Sequence, residues 1–261
     1  MQNKNSYQSE LFGNRLRKKY KELRKWARKN SISSYRLYDR DIPEIPLSLD
    51  IYEFLPEGIN SPEAFAAFIQ KQNDRISRND PAVEKEIEER RYAVLYLYER
   101  PYEKPEEEEA EWFELMAQTA AGVLNISADH IIKKERRQQK GLSQYEKTHG
   151  KKITEGFIQE KGLIFKIDLT SYLDTGLFFD HRPLRQIVQQ SADSKRVLNL
   201  FCYTGSFSVY AARGNATYVE SVDLSNTYLS WAEDNMKKNS FRSKEKDTFT
   251  KADVIAWLEK K

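Results

Sequence analysis

Apolar positions follow two different periods along this chain. From Leu11 to Lys29, Leu16, Tyr20, Leu23 and Ala27 recur at three- and four-residue steps, which predicts a helix with one buried face. Residues 1–10 carry no such pattern and are expected to be disordered. Tyr35-Arg-Leu-Tyr38 and Leu47-Ser-Leu-Asp-Ile-Tyr-Glu-Phe54 then alternate as strands do. Ser61-Pro62-Glu63 reads as a helix start, with Phe65, Phe68 and Ile69 on one side. Asn79-Asp80-Pro81 reads as a turn. Arg91-Tyr-Ala-Val-Leu-Tyr-Leu-Tyr98 is the clearest strand of this region. The acidic stretch from Glu103 to Glu114 leads into a helix through Trp112, Phe113, Leu115, Met116 and Val123, and acids near a helix start suit its dipole. A strand from His130 and a hairpin around Lys161-Gly162 complete an α+β pattern.

The pattern changes at Arg196. Val197, Leu198, Leu200 and Phe201 form a nearly continuous apolar run, as in a parallel strand covered on both faces. Thr204-Gly205-Ser206 turns the chain; Gly205 would let a ligand approach the main chain, and Ser206 would cap the helix that follows. A second strand, Thr217 to Asp223, ends in an acid about 20 residues after the first strand's glycine turn, where a carboxylate can take ribose hydroxyls. Ser225 would cap a further helix with Leu229, Ala232 and Met236 on one face. A third acid, Asp253, stands in Ala252-Asp-Val254. This order suits a nucleoside-binding half-sheet. The glycine pattern disfavours a nicotinamide or flavin dinucleotide, and no P-loop is present.

Asn199-Leu-Phe-Cys-Tyr-Thr-Gly-Ser-Phe-Ser208, Val222-Asp-Leu-Ser225 through Asn235, Ala252-Asp-Val-Ile-Ala-Trp-Leu258 and Tyr172-Leu-Asp-Thr-Gly-Leu-Phe-Phe-Asp-His-Arg182 resemble motifs of the S-adenosylmethionine-dependent rRNA methyltransferases. The resemblance is greatest to the C-terminal, guanine-N7-methylating half of the two-headed bacterial 23S rRNA enzymes. It extends to Phe12-Gly-Asn-Arg-Leu-Arg-Lys18, Tyr35-Arg-Leu-Tyr-Asp39 and Gln139 to Lys147. It implies an α/β fold: an N-terminal α+β RNA-binding domain, then an incomplete Rossmann-like class I methyltransferase sheet. Residues 1–34 would be a basic helix and linker, 35–169 a substrate-binding domain, and 170–261 the first half of the cofactor domain. The cofactor would be S-adenosylmethionine. Asn199, Phe201, Tyr203, Thr204, Gly205 and Ser206 would face its methionine end. Asp223 would take the ribose, and Leu224 would pack on the adenine, with Ser225 beside them. Asp253 would take the adenine amino group, with Val254 alongside. Asp180 and Arg182 would lie at the same site, Arg182 pairing with the cofactor carboxylate.

Charge adds a second partner. Leu11 to Lys29 holds nine Lys/Arg against one acid, and Ile131 to Lys152 eight against two. Arg15, Lys18, Lys19, Lys133, Lys134, Arg136, Arg137 and Lys140 are candidates for phosphates of 23S rRNA, and Tyr145 for stacking on an unpaired base. The whole chain of 261 residues is only +3, with 39% apolar and 32% charged residues, enough for about two domains. One cysteine excludes an internal disulfide and a cysteine-rich zinc site, and the three histidines have no metal spacing. Cys202, at a strand end, is expected to pack rather than act as a nucleophile. No apolar run approaches the ~20 residues of a membrane span, and the start has no signal core, so a cytoplasmic protein is expected.

In the family a fourth strand follows, ending in an Asp-Pro-Pro motif that faces the base. The chain reaches Lys261 before such a motif, so no catalytic residue is assigned. The expectation is a middle fragment whose first cofactor-domain strand is an uncovered edge, with the missing methyltransferase segment as a partner. The alternative is a non-enzymatic RNA-binding remnant.

Overall fold

The computed structural model describes residues 4–59, 61–99, 105–136 and 154–260. They divide into two compact units that interleave in sequence. The first comprises Met1–Pro56, Gln72–Lys161 and Asp168–Thr175; the second comprises Glu57–Lys71, Gly162–Ile167 and Gly176–Lys261.

The first unit is built on a sheet in the order β1 (Ser34–Asp39), β2 (Leu47–Glu53), β3 (Arg91–Tyr98), β4 (Ile131–Arg136). The first two pairings are antiparallel and the last is parallel. Alternation sends Leu47, Leu49 and Ile51 of β2 and Ala93, Leu95 and Leu97 of β3 into one core. Two helices supply the facing apolar stripes: Phe12 and Leu16 from α1 (Lys4–Lys29), Trp112 and Met116 from α4 (Glu106–Leu124). The expected disorder of residues 1–10 is incorrect from Lys4 onward. Gln8 accepts a hydrogen bond from Trp112 Nε1 at 2.8 Å, and Ser9 bonds Thr119 at 2.7 Å. Polar side chains thus fasten a turn that has no apolar period of its own. The opposite sheet face carries Tyr52 and Tyr96, whose hydroxyls bond Thr175 and the Leu173 carbonyl.

Helix α2 (Pro62–Ser77) starts at the expected proline and buries Phe65. The turn at Asn79, with φ 55°, is present, but it leads into α3 (Ala82–Glu89), a helix the apolar pattern does not announce. Asp80 Oδ1 starts it by accepting the Ala82 N–H at 2.9 Å. Strands β5 (Glu155–Glu160) and β6 (Leu163–Asp168) are joined at Lys161 and Gly162, both at positive φ, the backbone of a two-residue hairpin turn.

In the second unit, α5 (Arg182–Ser191) precedes three parallel strands in the order β7 (Arg196–Leu200), β8 (Tyr218–Asp223), β9 (Asp247–Lys251). Parallel neighbours require crossovers, and α6 (Ser206–Arg213) and α7 (Asn226–Lys238) supply them. α8 (Val254–Leu258) follows β9. The reading of β7 as covered on both faces is corrected: among the described residues it pairs with β8 alone, and Leu198 is 45% exposed. The middle strand is β8, which buries Val219 and Val222.

Candidate cofactor site

The carboxyl ends of β7 and β8 lie side by side, because Leu200 pairs with Val222. Here the chain makes a strained turn. Phe201, Tyr203 and Gly205 have φ of 53°, 49° and 71°, so two side chains of ordinary size sit in left-handed conformations. Each costs of order 1 kcal/mol and persists only if its surroundings dictate it. The surroundings do so bond by bond. Cys202 N–H donates to the Val222 carbonyl at 3.0 Å, and Gly205 N–H closes on the Cys202 carbonyl at 2.8 Å. Tyr203 N–H donates to Asp223 Oδ2 at 2.9 Å. Thr204, fully buried, donates its hydroxyl to the Gly176 carbonyl at 2.6 Å.

Helix α7 holds the turn from behind. Asn235 Nδ2 donates to the Thr204 carbonyl at 2.9 Å while its Oδ1 accepts the Lys166 N–H at 2.8 Å. One turn on, Asn239 accepts the Ile164 N–H and donates to the Ile164 carbonyl. One turn back, Trp231 Nε1 donates to the Lys166 carbonyl at 3.1 Å. Residues four apart share a helix face, so this row reads the edge of β6 as a neighbouring strand would. The sequence reading gave Asn235 and Asn239 no role. Their signal is amides on the face that also carries Leu229, Ala232 and Met236. Polar groups there must find buried partners.

One expectation at this turn is corrected. Gly205 is itself the N-cap of α6, and Ser206 is the first helical residue and makes no cap. A Cβ on Gly205 would lie 2.6 Å from Ala232 Cβ, so its missing side chain permits a close approach to α7. Gly176 is similar: its φ is 111°, and a Cβ would meet the Trp231 ring.

Asp223 is buried at the end of β8. Oδ1 accepts the Ser225 N–H and Oδ2 the Tyr203 N–H, both at 2.9 Å. A carboxylate has about four acceptor positions, so two remain for another donor. Exposed apolar residues stand at the same strand ends, Phe201 just after β7 at 71% and Leu224 just after β8 at 49%. A buried acid with exposed apolar residues at the same strand ends suits a nucleoside, with the ribose at the acid and the base on an apolar group. Ser225 caps α7 as expected, accepting the Tyr228 N–H at 3.3 Å.

The remaining candidates are more dispersed. The Asn199 amide points into the protein and donates to Ser208, which bonds Ser221. Asp253 is exposed at the start of α8, where Oδ1 accepts the Ala256 N–H, and Val254 is buried beneath it. Asp180 is exposed, and Arg182 is buried at the first position of α5, its guanidinium 5.5 Å from the Phe179 ring. Cys202 is buried, and burial pushes its thiol well above the ordinary range, as a packing residue requires.

The basic candidates have mostly internal partners. Arg15 and Lys19 both pair with Asp41, at 2.7 and 2.6 Å. Lys133 pairs with Glu114, and Arg136 with Asp174 at 2.9 Å. Lys134 donates to the carbonyls of Tyr172 and Leu173. Lys18 is exposed. Arg137, Lys140 and Tyr145 lie outside the described residues. Among the described residues no cluster of three metal-ligating side chains occurs, and no helix is long and apolar enough to cross a membrane.

The sequence profile of the S-adenosylmethionine-dependent methyltransferases matches residues 76–256, more than half of the chain. The chain belongs to this methyltransferase family. Among curated proteins it is 36% identical over 252 residues to the ribosomal RNA large subunit methyltransferase K/L of Magnetococcus marinus, covering 96% of this chain and 29% of that one. It is 41% identical over 248 residues to the ribosomal RNA large subunit methyltransferase K of Neisseria meningitidis, covering 95% and 59%. The chain thus spans under two thirds of these relatives. Among solved structures it is similar to a protein from Streptococcus mutans described as an S-adenosylmethionine-dependent methyltransferase, with a TM-score of 0.64 and 17% identity over 97% of this chain and 54% of the other. A methyltransferase crystallised with S-adenosylhomocysteine gives 0.62 and 18%, again covering 97% and 54%. At such identities these two speak for the fold alone. Methyltransferases of this family use S-adenosylmethionine, and the acid and apolar surfaces at Asp223 are chemically suited to its nucleoside.

Proposed function

We propose that the chain is the cofactor-binding portion of a methyltransferase acting on 23S rRNA, with guanine N7 as the methylated atom. The observation that carries the reading is Asp223, fixed by two main-chain donors, with exposed Phe201 and Leu224 at the ends of the same adjacent parallel strands. S-Adenosylmethionine supplies a methyl group already activated on its sulfonium. The protein's share is binding and orientation. Asp223 accepts ribose hydroxyls, Leu224 covers the base, and Asp253 receives the adenine amino group. Phe201, Tyr203, Thr204, Gly205 and Ser206 border the methionine end, and Arg182 meets its carboxylate. 23S rRNA and the N7 position are carried over from the rRNA methyltransferase relatives and from the motif resemblance. A cytoplasmic location follows from that substrate.

The first unit is the proposed RNA-binding domain. The outer edge of β7, with exposed Leu198, is the proposed docking edge for a further strand, supplied by more methyltransferase sequence. That edge also supports a second reading, a chain that binds RNA but methylates only when the sheet is extended. Titration calorimetry with S-adenosylmethionine tests the cofactor reading. Binding that Asp223→Ala abolishes supports it, and no binding by wild type, alone or with the added strand, would sink it. Methyl transfer to 23S rRNA with and without the added strand separates the two readings.

A further inference from the structure

The fold sorts most of the cations of α1 into two kinds, with exposed Arg17, which donates to Asn14, in neither. One set is spent inside the first unit. Arg15 and Lys19 hold Asp41, while Arg24 and Arg28 converge on Glu84 of α3 at 2.9 and 2.5 Å. The other set is Lys18, Lys21, Lys25 and Lys29, all exposed and without an ion pair among the described residues. Their spacing of three, four and four residues places them on one side of the helix. At 1.5 Å rise per residue the row is about 16 Å long, with gaps of about 4.5 to 6 Å. One acid, Glu22, is exposed beside it.

A charged helix face is often only a solvated face. Two features set this one apart. The row is of a single residue type, a flexible point cation, whereas three of the four internal fasteners are arginines, whose planar fork suits fixed carboxylates. The opposite face of α1 is already occupied, since Phe12, Leu16 and Ala27 are in the core. The helix therefore has no apolar face to lay in a bilayer, as an interfacial membrane helix needs. What fits a straight row of cations with steps of that size is a polyanion with regularly repeated charge.

We propose that Lys18, Lys21, Lys25 and Lys29 form a phosphate-tracking stripe that docks α1 along the sugar-phosphate backbone of folded RNA, while Arg15, Arg24 and Arg28 of the same helix only fasten it within the first unit. This rests on the reading of rRNA as the partner, and it shifts the contact surface from Arg15 and Lys19 to the opposite set of side chains. Such contacts position the RNA without reading its bases.

The test measures affinity for transcribed 23S rRNA across a salt series. One variant replaces the four stripe lysines with Gln, a good helix former. A control replaces Lys71, Lys161, Lys195 and Lys244, exposed lysines scattered elsewhere, with Gln to remove the same charge. The stripe variant is expected to lower the slope of log affinity against log salt by about 3, so the wild-type advantage shrinks roughly 60-fold between about 50 and 200 mM salt. The control should change it far less, and Lys→Arg at the four stripe positions should restore it. Melting temperature and cofactor binding should be unchanged. An unaltered slope, an equal effect from the control, or equal binding of wild type to anionic lipid vesicles would overturn the stripe. Failure of wild type to bind RNA at all would instead remove the rRNA reading beneath it.

Discussion

Asn235 joins the Thr204 carbonyl, 2.9 Å from its Nδ2, to the Lys166 N–H, 2.8 Å from its Oδ1. One fully buried amide on α7 therefore sets both β6 and the turn that follows β7. Asn235→Ala would remove the Asn235 partner from the half-buried Lys166 N–H and from the buried Thr204 carbonyl. At about 1–3 kcal/mol for each orphaned group, a loss of roughly 2–5 kcal/mol is expected in urea unfolding. Asn235→Asp keeps the shape but turns a donor into an acceptor facing a carbonyl. It should cost as much and weaken cofactor binding as well. A loss under about 0.5 kcal/mol for both would show the clamp to be idle.

Gly205 and Gly162 allow conformation and packing to be separated. Both have positive φ, 71° and 82°. Among the described residues a Cβ at Gly162 meets nothing within 4 Å, whereas at Gly205 it would press on Ala232. Gly162→Ala should cost about 1 kcal/mol from backbone strain alone. Gly205→Ala should cost at least about 2 kcal/mol more, because a well-packed helix must move. Equal losses in thermal unfolding would mean that α7 yields freely.

Acid should loosen the fastening of α1. Burial alone would raise Asp41, but hydrogen bonds from Lys19 and Arg15 hold it below its ordinary 3.8. Burial likewise opposes Arg28 and Arg24 at Glu84, and the cations again win, leaving it below 4.5. A carboxylate with a lowered folded value adds stability that is complete above its unfolded value and drains as pH falls through the folded one. The melting-temperature gap between wild type and an Asp41→Asn, Glu84→Gln variant should thus be flat from about pH 8 to 6 and close below about pH 4. A gap that widens in acid would contradict these pairings.

Cys202 should be chemically quiet. Its thiol is buried and pushed up by burial, so alkylation by iodoacetamide should await unfolding. Cys202→Ala should retain cofactor binding. Rapid labelling of the folded protein would reopen a nucleophilic role.

Much of this was legible in the pattern of the chain. The strand from Arg91 to Tyr98, the proline-started helix at Pro62, the cap at Ser225 and the acid closing β8 all follow from local rules, and each is in place. Such features are decided within a few residues: a side-chain period, a ring that fixes φ, a hydroxyl three residues from an orphan N–H. Other features are not local. Leu198 has the sequence of a covered strand, and its exposure is set by strand order. Lys4 to Glu10 look unstructured until Trp112 and Thr119 meet Gln8 and Ser9. Arg15 and Lys18 are equally basic in sequence, yet only Arg15 faces Asp41. The glycine at 205 announces a turn, but its need for a missing side chain comes from Ala232, 27 positions along the chain. By itself the sequence determined most of the helices and strands, the glycine turn after β7 and the acid that ends β8. The tertiary structure alone decided which charges are spent and which amides clamp the turn, because those depend on partners that only folding brings together.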